Sequence, residues 1–309
     1  MQCISKLEEY QDGCLTAMTL GKFDGLHRGH QQLVDRICAY AKEEEALKSV
    51  VFVFDMASFF EKQNIVRKTL MTKEERRYQL EGKIDYLVEC PFTDAIRTME
   101  AEDFIRDILV GLFHVRYLVV GTDYSFGYQK RGNYEMLLQY ADTYGYHVDV
   151  IEKLKYEERE ISSTFIREDV EAGNMKRAAV LLGHPYQLMG RISHGRQLGR
   201  TIGIPTMNVP VRKEKLLPPN GVYAARGILE GVSYDGILNI GRKPTVEENG
   251  EVLAELHLFD YAQEAYGKEI EIEIYEFERP EQRFASIEAL QKRIQQDIVY
   301  GKQYFQNER

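Results

Sequence analysis

Hydrophobic and polar positions alternate along the first half of the chain with two different periods. Leu15 to Leu20 reads as an extended run, and Leu33, Val34, Ile37 and Tyr40 then recur at the spacing of a buried helix face. The exchange repeats downstream. Ser49 to Phe54, Tyr86 to Val88, Tyr117 to Val120 and His147 to Ile151 read as strands, and Thr72 to Gly82, Ala101 to Leu112 and Tyr134 to Tyr144 as helices between them. Apolar strands alternating with helices require both sheet faces to be covered, so this half predicts a parallel α/β sheet.

The pattern changes after about Gly183. Val222 to Leu229, a Glu230-Gly231 turn and Val232 to Leu238 predict a hairpin. Glu269 to Phe277 alternates Glu with Ile, which places isoleucines on one face and carboxylates on the other, the latter expected to be solvated. Ile287, Leu290, Ile294 and Ile298 recur at helical spacing, with Ser286 as the expected N-cap and Gly301 as the expected stop. These signals predict a small antiparallel β-barrel with a C-terminal helix. The chain of 309 residues thus divides into two domains, 1–184 and 185–309.

Composition narrows the function classes. A formal net charge of -9 argues against nucleic acid as a partner, because a phosphate backbone selects a Lys/Arg surplus. The four cysteines, Cys3, Cys14, Cys38 and Cys90, show no CxxC spacing and read as reduced thiols, mostly buried. No apolar run is long enough to span a bilayer and no charged leader precedes an apolar stretch, so the expectation is a cytoplasmic protein without membrane association. Oligomeric state is not legible.

The segment GKFDGLHRGH, Gly21 to His30, follows the first strand and opens the first helix, where α/β sheets bind phosphates. It is neither a Walker A loop nor GxGxxG. His27 and His30, three apart near a helix start, can share one face and donate to a phosphate, while Gly25 and Gly29 let backbone approach the ligand. Donors so placed suit nucleotidyl transfer, in which negative charge builds on phosphoryl oxygens during in-line attack.

HRGH resembles the HxGH signature of the nucleotidyltransferase superfamily, and GxFDGxHxGH its extended form in prokaryotic FAD synthetases. GTDYSFGYQKRGN, Gly121 to Asn133, and ISSTFIR, Ile161 to Arg167, resemble two further segments of that family. The resemblance implies a Rossmann-like nucleotidyltransferase sheet with His27 and His30 catalytic. It places Gly21, Phe23, Asp24, Gly25, Gly29, Ser162, Ser163, Thr164 and Arg167 on ATP, and Asp123 on the second substrate. An arginine fork suits phosphate oxygens and stays charged. Where many members carry a proline-and-histidine segment, this chain has Met56-Ala57-Ser58-Phe59-Phe60, and Lys22 stands where a small or amide residue is frequent.

HGRQLGRTIGIPTMN, His194 to Asn208, supplies glycines whose amides can cradle phosphate. Thr206 and Asn208, two apart on a strand, face one side and can offer two neutral oxygens to Mg²⁺. The stretch resembles the riboflavin kinase signature GRxxGxPTxN, with Met207 at the position often held by Ala. Further matches follow in order: GVYA at Gly221, NIGRKPT at Asn239, ELHLFDY at Glu255 and YG at Tyr266. The resemblance implies Glu255 as general base, Asn239 as a substrate contact, Thr206 and Asn208 as the metal ligands, and Gly199, Arg200 and Gly203 around the phosphates.

The chain is therefore expected to be a bifunctional prokaryotic riboflavin kinase and FMN adenylyltransferase, with ATP, riboflavin, FMN and FAD as its small-molecule partners and Mg²⁺ as cofactor. Two rivals stay open at this point. One is a riboflavin kinase whose adenylyltransferase module is impaired at residues 56–60. The other is a flavin-binding regulatory protein without turnover.

Overall fold

The computed structural model describes residues 1–194, 203–242 and 252–308. The chain forms two compact units, one of Met1–Arg67 with Arg76–Ser162 and the other of Lys68–Glu75 with Ser163–Arg309.

In the first unit, six strands form one parallel sheet: β1 (Gln2–Ile4), β2 (Thr16–Gly21), β3 (Lys48–Asp55), β4 (Tyr86–Pro91), β5 (Val115–Gly121) and β6 (His147–Ile151), in spatial order β1-β4-β3-β2-β5-β6. Its central strands are unbroken apolar runs because both faces are covered: Ala17 and Met18, Val50 to Val53 and Leu118 to Val120 are all buried. Helix α1 (Arg28–Glu43) buries the predicted stripe Leu33, Val34, Ile37 and Tyr40. The stretch expected as an ordinary helix over 101–112 starts as one and widens into π-type turns at Phe104–Leu112, with the Phe113 amide donating to the Ile108 carbonyl at 3.0 Å.

β2 lies between β3 and β5, and the chain winds from it first towards β1 and later towards β6. This reversal is the topological switch point, and a crevice opens beyond the carboxyl ends of such strands. Gly21 ends β2 and Gly121 ends β5, so both sequence motifs of this unit sit at that edge.

The second unit is an antiparallel sheet of β7 (Tyr186–Arg191), β8 (Met207–Pro210), β9 (Gly221–Leu229), β10 (Val232–Arg242), β11 (Val252–Leu258) and β12 (Glu269–Pro280), in order β7-β12-β9-β10-β11-β8. The two edges meet beyond β7, where the Ser193 amide donates to the Asn208 carbonyl at 2.8 Å and curls the sheet upon itself. Glu230 and Gly231 turn the β9–β10 hairpin with φ of 51° and 81°, the positive pair that matches strand twist. Helices α2 (Ser163–Ala172) and α3 (Met175–Leu182) belong to this unit, and α3 packs on β12 and β7.

The segment Lys68–Glu75 docks on the same unit through a parallel bridge from Thr69 to Lys215. Lys215 and Glu75, each only 3 % exposed, pair at 2.7 Å. The ammonium also donates to the Leu70 carbonyl and lies 4.4 Å from the Tyr186 ring centre, while Glu75 accepts from the Met189 amide. Every charge in this core is thus spoken for, as burial demands.

Three sequence expectations need correction. Beyond the exposed Glu269 the carboxylates of β12 are not a solvated face: α3 packs over this strand, Glu271 is buried and accepts from Gln187, and Glu276 pairs with Lys176 at 3.0 Å. Gly301 does not stop the last helix, α4 (Ile287–Asn307). It is buried where a Cβ would lie 2.8 Å from Ile237 and 2.9 Å from Phe259, so the missing side chain serves close packing. The cysteines are free, but only Cys90 is buried and Cys3 is exposed. Ser286 does cap α4, accepting from the Ala289 amide at 3.2 Å.

Two candidate active sites

After Gly21 the backbone of the first unit takes positive φ at Phe23 (45°), Gly25 (91°) and Leu26 (42°) before α1 begins. Such a turn costs free energy outside glycine and persists only where the surroundings hold it. Here the buried Phe23 ring anchors it, and His27 becomes the N-cap residue of α1. The His27 and His30 rings stack at 3.7 Å with an interplanar angle of 21°. Gly29 makes room for this, since a Cβ there would meet the His27 ring at 3.3 Å.

Both Nδ1 atoms are buried and have no hydrogen-bond partner among the described residues. Burial pushes His27 down to about 4, against the pull of Asp123, and holds His30 well below its ordinary range, helped by the proximity of His27. At neutral pH the pair is therefore two uncharged imidazoles, which supply N–H donors rather than cationic charge.

Asp123, just beyond β5, is paired with Lys153 at 2.9 Å, and Lys153 also holds Glu160 at 3.0 Å. Asp123 acts electrostatically on His27. Gly21 and Asp24 lie within the same turn. Ser162 closes the first unit, whereas Ser163, Thr164 and Arg167 lie on the first turns of α2 in the second, where Arg167 donates to the Lys68 carbonyl at 2.7 Å.

Two features of this unit escaped the sequence reading. Lys22 is pushed below its ordinary pKa by burial and then by Arg67 and Lys130, so cations gather around the turn. Also, a series of aromatic contacts runs from the carboxyl edge of the sheet into its core, where Phe104 and Phe126 are buried. Phe59 meets Phe92 at 5.7 Å, Phe92 meets Phe54 at 6.2 Å, Phe54 meets Phe104 at 6.0 Å and Phe104 meets Phe126 at 5.7 Å, with Tyr124 stacked on Phe126 at 5.5 Å. Phe59 stands in the segment that lacks the proline and histidine. The available signal was aromatic residues at or shortly after strand ends: Phe54 and Phe59 at β3, Phe92 at β4, Tyr124 and Phe126 at β5.

In the second unit the candidate residues are assembled by strand register. Asn208 of β8 pairs with Glu255 of β11, which pairs with Asn239 of β10. Directly opposed residues share a face with Cβ atoms about 5 Å apart, so the three side chains form one cross-strand row. The alternate residues Leu238, Ile240, Ala254 and Leu256 are fully buried and point to the opposite, core side. Thr206 immediately precedes β8, and Gly203, with φ of 74°, turns the chain into it.

Asn208 is 6 % exposed, and neither its amide nor the Thr206 hydroxyl has a hydrogen-bond partner among the described residues. One buried amide oxygen and one half-buried hydroxyl left in this state fit a hard divalent cation whose charge is balanced by a phosphate ligand. Gly199 and Arg200 lie outside the described residues. His257, two residues after Glu255 and so on the same face, donates from Nδ1 to the Pro205 carbonyl at 2.8 Å. That residue was not singled out beforehand, although it is part of ELHLFDY.

The fold and the two sites define a two-module protein, a nucleotidyltransferase-type α/β unit and a flavokinase-type curled sheet. A family model described as FAD synthetase matches residues 9–165, and one described as riboflavin kinase matches residues 182–305. The chain is 34% identical over 95% of its length to a bifunctional riboflavin kinase/FMN adenylyltransferase of Haemophilus influenzae, covering 94% of that protein. A protein of the same description from Bacillus subtilis is 34% identical over 94% of the chain and 93% of its own length. The chain belongs to the bacterial bifunctional riboflavin kinase/FMN adenylyltransferase family.

A solved structure from Streptococcus pneumoniae, described as a macrolide-efflux protein, superposes with a TM-score of 0.82 and 27% identity, covering 96% of both chains. In the present chain no helix among the described residues is long and apolar enough to cross a membrane.

Proposed function

We propose that this chain phosphorylates riboflavin with ATP to give FMN and then transfers AMP from a second ATP to FMN, giving FAD and pyrophosphate. The observation that carries the kinase reading is the row Asn208, Glu255, Asn239, which brings two neutral donors and one carboxylate to a single face from three strands. Glu255 accepts the proton of the riboflavin 5′-hydroxyl as the oxygen attacks the γ-phosphorus and the bond to the β-phosphate oxygen breaks, releasing ADP. Asn239 orients the flavin side, and Thr206 and Asn208 hold Mg²⁺. Held there, Mg²⁺ would supply charge neutralisation to the phosphoryl group being transferred. Gly203 and the preceding Gly199 and Arg200 contact the nucleotide phosphates.

Adenylyl transfer rests on the neutral pair His27 and His30. Their N–H groups donate to the α-phosphate oxygens, where negative charge grows as the FMN phosphate attacks and pyrophosphate leaves. Gly21, Phe23, Asp24, Gly25 and Gly29 shape the ATP-binding turn, Ser162, Ser163, Thr164 and Arg167 bind ATP phosphates, and Asp123 contacts the flavin substrate. Phe54, Phe59 and Phe92, the phenylalanines of this series that are not buried, offer stacking surface to an isoalloxazine ring in place of the proline-histidine segment. We assign adenylyl transfer to residues 1–184 and phosphorylation to residues 185–309, in a cytoplasmic protein.

The decisive experiment supplies ATP and Mg²⁺ with riboflavin in one reaction and FMN in another, and separates products by chromatography. FMN followed by FAD is expected in the first and FAD in the second. FMN that accumulates without FAD selects a kinase alone, and tight flavin binding without ATP consumption selects a regulatory protein.

A further inference from the structure

We infer that His257 is a positioning residue of the kinase site, whose imidazole tethers the turn that presents Thr206 to the metal. This rests on the kinase reading above and adds to it a residue that touches neither substrate nor metal.

The turn needs a tether. Residues 203–206 make no backbone–backbone hydrogen bond among the described residues, Gly203 introduces a left-handed bend, and Pro205 has no amide hydrogen to anchor it. The Pro205 carbonyl, one peptide before Thr206, is held instead by His257 Nδ1 at 2.8 Å. Because a carbonyl only accepts, this bond fixes the proton on Nδ1. His257 is itself fixed by the strand that carries Glu255, two residues away and on the same face. The spacing between the base and the Thr206 hydroxyl is therefore set on one side by the β8–β11 pairing that starts at Met207 and on the other by this hydrogen bond.

The other side of the ring is supported independently. His257 meets Phe259 at 6.0 Å edge-on, and Phe259 clusters with Val222 and Ile237 beneath Ile294 and Ile298 of α4. The imidazole thus stands between the packed base of the C-terminal helix and the free turn. Residues that orient a metal ligand without binding the ion typically change metal affinity by about 10- to 100-fold when removed.

The test uses the full-length protein with Mn²⁺ as the probe in the presence of ADP, read by electron paramagnetic resonance, beside the Mg²⁺ dependence of FMN formation. Thr206→Ala identifies the Mn²⁺ signal belonging to this site. His257→Phe keeps an aromatic ring against Phe259 but removes the donor, whereas the amide nitrogen of His257→Asn reaches the place of Nδ1. The Phe variant should weaken Mn²⁺ binding at the Thr206-dependent site about 10-fold or more, and raise the Mg²⁺ requirement more than it lowers kcat. The Asn variant should stay within about 3-fold of the parent protein. Unchanged Mn²⁺ affinity in His257→Phe, or equal losses in Phe and Asn, overturns the inference while leaving the kinase reading intact. Mn²⁺ binding that ignores Thr206→Ala overturns the metal assignment, and the role of His257 falls with it.

Discussion

In the first unit the proposed chemistry centres on one stretch, Gly21 to His30, whose backbone is bent by positive φ at Phe23, Gly25 and Leu26. In the second it is spread from Thr206 to Glu255 and converges only through the pairing of β8, β11 and β10. The first plan places two buried imidazoles at a helix start and keeps them uncharged. The second presents polar side chains on the face of the sheet opposite Leu238, Ile240, Ala254 and Leu256, which are core. A strained turn carries its geometry within its own residues, whereas a cross-strand row depends on every register that joins it.

The sharpest way to break this contrast is to disable each site separately. Glu255→Gln removes the proposed proton acceptor and should lower FMN formation from riboflavin by about 10²- to 10⁴-fold. FAD formation from supplied FMN should be unchanged. His27→Ala combined with His30→Ala should do the reverse, lowering FAD formation by about 10²-fold or more through lost donors. Product chromatography from the two flavins reads both. Loss of both products in either variant would show that the sites do not act independently.

The next effect concerns stability. Lys215→Met leaves the Glu75 carboxylate buried without its cation and should cost about 3–5 kcal/mol in denaturant unfolding. The loss should fall on the second unit, so FMN formation disappears at a lower denaturant concentration than conversion of FMN to FAD. Adding Glu75→Gln removes the orphaned charge and should restore part of the loss.

How much was legible follows from the same contrast. The parallel sheet, the β9–β10 hairpin and the Gly21 to His30 turn could be read because each is coded by neighbouring residues: apolar runs, a Glu230-Gly231 pair, a glycine-spaced histidine pair. The row Asn208, Glu255, Asn239 was reached only through resemblance, since no local pattern states which strands pair. The solvated reading of the β12 carboxylates failed for a related reason. Alternation identifies two faces but cannot announce that α3 covers the polar one and supplies Lys176 to Glu276. His257 was missed because its partner is a backbone carbonyl, which carries no side-chain signature.

The two units should also respond to pH with opposite signs. His27 falls from 6.5 to about 4 on folding, so between those values the unfolded chain binds more protons and stability is lost as pH drops. The shift corresponds to roughly 3 kcal/mol at its limit, and His30 acts in the same direction. In the second unit, burial and the neighbouring Asp297 raise Glu278 from 4.5 to about 7, so its contribution is complete below 4.5 and lost as pH rises through 7. Calorimetric transitions followed from pH 7.5 to 5 should move down for the first unit, while Glu278 favours the second. His27→Asn should flatten the first trend and Glu278→Gln the second. Parallel movement that neither variant alters would contradict both assignments.

The smallest effect separates two glycines that both look like helix residues open to improvement. Alanine in a helix gains about 1 kcal/mol over glycine from propensity alone. At Gly301 the added methyl would meet Ile237 at 2.8 Å and Phe259 at 2.9 Å, so the gain is outweighed by overpacking of about 1–3 kcal/mol. Gly301→Ala should therefore lower the urea midpoint of the second unit. At Gly29 the methyl would meet only the His27 ring, at 3.3 Å. A displacement of a few tenths of an ångström relieves that contact at little cost in stability, but it tilts a ring whose position matters for phosphate donation. Gly29→Ala should leave unfolding within about 0.5 kcal/mol of the parent and slow FAD formation several-fold, with FMN formation untouched. The same substitution would thus report packing in the sheet-built unit and geometry in the turn-built one.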